Sequence, residues 1–259
     1  MRILAILFCL FGLILPAAAQ EQIDLSERRD EIIDILSQIP DFAPVRQELQ
    51  SAGFKGENLE LAVRQSELMY RDPVLSGYLA DELIKGFLDP STIQPRRGLI
   101  WPLVERGLGH LPTREMRYFY LVEQSLIRSL PNRQCGRVVR NRLSQERFAE
   151  ITSKTIARLD TATLREYYRI QKKAARLGAK RKAVRLTNAQ IAAVEKEIFA
   201  GVELKLKGRD DEARLRAAIA DLPNARNSDA CKAGKLFLET VLELEGQSLR
   251  NAMLFMSLP

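Results

Sequence analysis

The chain has 259 residues, 46% of them apolar, and carries 40 Lys and Arg against 33 Asp and Glu for a formal charge of +7. That apolar share excludes a disordered polymer, and the length suffices for one large or two small packed domains. A single histidine beside three cysteines argues against an ordinary zinc site, and the lack of a CxxC pair argues against a dithiol oxidoreductase, so neither metal nor other cofactor is expected.

Residues 1–19 predict the compartment. Arg2 precedes an apolar run from Ile3 to Leu15, and Ala17-Ala18-Ala19 offers a small-residue cut before Gln20, the pattern of a secretory signal peptide. The run is too short to span a bilayer and no second long apolar segment follows it. Cys9 lies inside the run without the small residues that a lipoprotein cut requires, so no lipid anchor is expected. The mature chain is expected in the periplasm or secreted.

Charge divides the mature chain unevenly. Residues 20–112 hold 10 basic and 16 acidic side chains, and residues 113–259 hold 29 and 17. An acidic helical region over 20–112 and a basic one over 113–259 are therefore expected, with the halves docking on each other or the basic half meeting a polyanion.

The 3.6-residue periodicity, interrupted by Pro and Gly, predicts an all-α fold: a multi-helix bundle or helical array of about ten to thirteen helices. Asp24 with Glu27 opens a first helix that puts Ile32, Leu36 and Ile39 on one face and ends at Pro40. Pro44 begins a short helix that stops at Gly53, and a third runs from Glu57 to Tyr70 before Asp72-Pro73. Pro73 starts a fourth, with Val74, Tyr78, Leu79, Leu83, Phe87 and Leu88 as core; shorter pieces around Trp101 fill the stretch from Asp89 to Pro112.

Thr113 is expected to cap a long helix to Leu130, and Pro131-Asn132 to turn the chain into a helix carrying Cys135. Leu222-Pro223-Asn224 echoes Leu130-Pro131-Asn132 ahead of Cys231, an echo more easily read as coincidence than as a repeat. Thr163 with Glu166 and Thr187 with Gln190 read as capping boxes. A last helix from Asp229 to Met256 has Gly246 as its point of bending. Cys135 and Cys231, an even pair in an exported chain, read as one disulfide closing a loop of 96 residues, worth about 4–5 kcal/mol by chain entropy.

Two constellations stand out. On the helix from Thr161 to Lys180, Leu164, Tyr167, Tyr168, Ile170, Ala174, Ala175 and Leu177 share one side; Arg165, Arg169, Lys172, Lys173, Arg176 and Lys180 share the other, extended by Arg181, Lys182 and Arg185. Six like charges on one face repel, so the stripe is expected to be solvated, covered by the acidic half, or used to bind an anionic envelope component or acidic protein. Peripheral contact with a membrane surface fits it too, whereas nucleic acid does not fit the compartment. The second constellation is a pair of carboxylates, Glu123 and Glu245, each on the apolar side of its predicted helix. Facing one cleft they would suit acid–base cleavage of a cell-envelope glycan, and singly each suits an ion pair with an Arg.

Other chemistry is poorly supported. His110 has no G-x-S-x-G partner, and the loop Arg106 to His110 lacks the lysine of a phosphate-binding loop. Phe119, Tyr120 and Trp101 read as core, with Tyr118 outward. The reading that results is a periplasmic, non-enzymatic helical binding protein acting through its basic stripe. The alternatives are a glycan hydrolase using Glu123 and Glu245, and a structural or inhibitory partner using an apolar groove. Ligand and oligomeric state are not encoded in any motif.

Overall fold

The computed structural model describes residues 25–88 and 100–257. The expected signal sequence at 1–19, Asp24 at the first helix start, the connecting stretch 89–99 and the side chains of Phe87 and Leu88 lie outside the described residues.

Every regular element among the described residues is helical. The first half supplies α1 (Leu25–Gln38), α2 (Ala43–Ser51), α3 (Gly56–Tyr70), α4 (Pro73–Leu88) and α5 (Trp101–Leu108). Pro40 ends α1 by entering a 3-10 turn, Ile39–Asp41. Gly53 stops α2 with φ +100°, and the amides of Gly53 and Phe54 reach back to the carbonyls of Gln50 (2.9 Å) and Leu49 (3.1 Å), a Schellman closure that tucks Phe54 into the core. In α4, Leu75 and Leu79 are fully buried, while Val74, Tyr78 and Leu83 are half-buried at its margin.

The second half supplies α6 (Thr113–Ser129), α7 (Asn132–Val139), α8 (Gln145–Ile156), α9 (Thr161–Lys180), α10 (Asn188–Leu206), α11 (Glu212–Ala220), α12 (Asn227–Glu243) and α13 (Gly246–Met256). Thr187 and Gln190 form a complete capping box on α10. Thr163 does not: Asp160 caps α9 by accepting from the Thr163 amide at 2.9 Å, leaving Thr163 inside the first turn. Asp160 is the extended residue immediately before the helix, so its carboxylate reaches the free amide three positions on. Thr113 is likewise the first helical residue of α6, after an extended Pro112 that has no side-chain donor or acceptor to cap with. Leu222–Asn224 forms a 3-10 turn separate from the helix that carries Cys231, whereas Pro131-Asn132 leads straight into α7, so the two Leu-Pro-Asn runs do not repeat a structure.

The predicted last helix is two. Leu244 and Glu245 are extended, Gly246 takes φ +56°, and α13 starts afresh. Only a residue without a Cβ adopts that angle at little cost, so the break resets the helical phase for everything after it.

α9 sits at the centre, packing against α3, α4, α5 and α6. Its Leu164, Tyr167, Ile170, Ala174 and Ala175 are completely buried in one apolar cluster with Leu75 and Leu79 of α4, Leu103 of α5 and Met116 of α6. The cluster thus draws on both sides of residue 112. At the crossing of α5 and α9 the backbones touch through Gly107 and Gly178. At the far side Cys135 of α7 and Cys231 of α12, both fully buried and 5.2 Å apart at Cα, are joined as a disulfide.

Candidate functional site

α3 and α9 run parallel, because their contacts ascend together. Asn58 donates to the Leu159 carbonyl at 2.8 Å, Glu57 pairs with Arg165 at 2.6 Å, Gln65 donates to the Tyr168 carbonyl at 3.2 Å, and Asp72, just beyond α3, lies 3.4 Å from Arg176. Between the two helices lies an open groove of about 660 Å³. Its floor is apolar, made by Leu61 and Leu68 of α3 and Tyr168 and Leu177 of α9. Around it stand all six members of the basic stripe, Arg165, Arg169, Lys172, Lys173, Arg176 and Lys180, joined by Arg64 from α3.

The stripe is partly covered by the protein's own acids. Glu115 of α6 accepts from Arg169 at 2.9 Å and from Lys173 at 2.7 Å. Burial opposes ionisation of Glu115, but the hydrogen bonds and charges of Lys173 and Arg169 outweigh it and hold the carboxyl below its usual range. Arg169 also bonds Glu166 twice at 2.7 Å, and these contacts with Glu166 and Glu115 hold its proton more tightly than usual. Asp72 has two tasks: its Oδ1 accepts from the amides of Val74 (3.1 Å) and Leu75 (3.4 Å) at the start of α4, and its Oδ2 faces Arg176 (3.4 Å) and Lys172 (3.8 Å). Its side chain is only 5% exposed, so it anchors the two cations from beneath.

Four carboxylates, Glu57, Glu115, Glu166 and Asp72, therefore serve five cations, and among the described residues Arg64 and Lys180 meet none. The seven cations lining the groove retain a surplus of about three positive charges. The wheel of α9 made six of them visible in the sequence. Arg64 and the floor residues Leu61 and Leu68 were not, because α3 alone offers no sign that its neighbour is α9, and Asp72 read only as the break before Pro73.

The two carboxylates are not assembled into one cleft. Glu123 projects from α6 into the core, where the Tyr167 hydroxyl donates to it and Phe119 stacks on the Tyr167 ring at 5.4 Å between centroids. Removal from water raises the Glu123 carboxyl above its usual range, with the Tyr167 hydrogen bond opposing that shift, and the same burial beside Glu123 raises the Tyr167 phenol well above its own. Glu245, by contrast, is exposed at the α12–α13 break. The wheel had placed it among apolar residues by assuming one helix through Gly246. His110 approaches the Lys182 carbonyl at 2.8 Å, and Trp101 donates to Glu105 at 3.0 Å while its ring tilts against Phe119.

A raised folded-state carboxyl stabilises the fold at acid pH and loses that contribution as pH climbs through the folded value. Glu123→Gln keeps an acceptor for Tyr167 and cannot ionise. Urea denaturation across about pH 4 to 8 is expected to show the variant gaining stability relative to wild type as pH rises; a parallel pair of curves would mean that Glu123 ionises without cost.

Compared with known protein families, with curated proteins and with solved structures, the chain matches none.

Proposed function

We propose that the chain is a non-enzymatic helical binding protein of the periplasm, whose basic groove contacts an anionic envelope component or an acidic protein partner. The observation that carries this reading is the charge surplus around an open apolar floor: Arg64 and Lys180 stand at the groove with no carboxylate of their own among the described residues. A face serving only the fold gains nothing from leaving two cations, one on each wall, uncompensated beside five others. The location is supported by the signal-like residues 1–19 and by a buried disulfide, a bond that persists in oxidising compartments. No helix of the described residues is long and apolar enough to cross a membrane.

The test is a photo-crosslinking residue at Leu68, which is 40% exposed on the groove floor, in the mature protein within living cells. A defined adduct with a second molecule is expected. Adducts confined to this chain's own residues would overturn the reading.

A further inference from the structure

We infer that the occupant of the groove is an acidic amphipathic helix of a partner protein; the inference rests on the binding reading above and names its ligand class. The argument turns on how charge is distributed. From Arg165 to Lys180 the cations recur at every turn of α9, spanning roughly 22 Å of helix. A phosphate or other small anion is held by cations that converge on one open point; here the pairs that converge already close on the protein's own Glu115 and Asp72, and Arg64 and Lys180 belong to opposite walls. An anionic lipid carries its charge at one end and its acyl chain at the other, whereas here charge and apolar surface run side by side along the whole groove.

A ligand complementary to that layout is elongated, acidic along one edge and apolar along the next. Polysaccharide phosphates supply the charge but no side chains for Leu61, Leu68, Tyr168 and Leu177. A helix of about sixteen residues with leucines at i, i+3 or i+4, and i+7 and glutamates beside them supplies both. It would lie between α3 and α9 as a third helix, its leucines on the floor and its glutamates toward Arg64 on one side and Lys180 on the other. The floor gives a reason for apolar contact, and Leu68 is among the large apolar side chains exposed in the described structure.

The experiment titrates the mature protein with three probes: a fluorescent peptide of that amphipathic pattern, a scrambled peptide of equal charge, and phosphatidylglycerol vesicles. The amphipathic peptide is expected to bind at least tenfold more tightly than the scrambled one, and Leu68→Ser is expected to remove most of that advantage. Equal binding of both peptides would overturn the helix while leaving the anion-binding reading intact. Vesicle binding without peptide binding would overturn it in favour of a lipid surface. No binding by any probe would count against both readings.

Discussion

Replacing Gly107 with valine is expected to cost roughly 3 kcal/mol or more and to lower the melting temperature by about 6–12 °C. A Cβ at Gly107 would lie 1.7 Å from the Ala174 carbonyl oxygen, and one at Gly178 would lie 2.0 Å from the Leu103 carbonyl oxygen. Both obstacles are backbone, so no rotamer change relieves them; α5 and α9 must separate and open the apolar cluster on either side. At Gly201 the added methyl would meet only the end of the Thr240 side chain, at 2.5 Å, and Gly201→Ala is expected to cost clearly less. Because Gly107 and Gly178 share one crossing, the double variant should lose less than the sum of the single losses. Thermal melts followed by circular dichroism check all three, and a Gly107→Val protein melting with wild type would remove the close crossing from the fold.

Removing the disulfide as Cys135→Ala with Cys231→Ala is expected to cost about 3–5 kcal/mol, the range for a bridge closing a long loop. The two cysteines are 96 residues apart and fully buried, and a Cβ on Gly136, beside Cys135, would strike the Asn227 backbone at 2.0 Å, so α7 and α12 are pressed together at the bridge. α7 has only eight residues, too few to persist as a helix without its packing. Amide exchange should therefore show α7 losing protection first, with the melting temperature down on the order of 10 °C. Unchanged α7 protection in the alanine variant would mean that packing alone holds this helix.

The helices and the bridge were legible because they rest on local rules: prolines that start or end helices, glycine at positive φ, a capping box, an even cysteine pair. The errors arose where two local solutions competed. Asp160 and Thr163 both supply an oxygen at the start of α9, and Asp160 caps it because it is the last extended residue, three positions before the Thr163 amide that it accepts from. Gly246 was consistent with a bend or a stop, and choosing the bend carried Glu245 into the wrong environment. The groove was half legible. Its α9 wall follows from one helical wheel, but its α3 wall and its buried anchor Asp72 come from which helices become neighbours, information spread over residues more than ninety positions apart.

The same geometry divides the basic residues into two groups. Arg169 and Lys173 are committed to Glu115, and Arg176 and Lys172 to Asp72, so reversing their charge would strand a half-buried and a buried carboxylate and weaken the fold. Arg64 and Lys180 carry no such duty. The most direct measurement is therefore the double variant Arg64→Glu with Lys180→Glu, followed in parallel for its melting temperature and for the adduct formed from the crosslinker at Leu68. An unchanged melting temperature with the adduct lost is the predicted result. An adduct that survives the reversal, or one lost only together with the fold, would contradict a groove that binds through its unpaired cations.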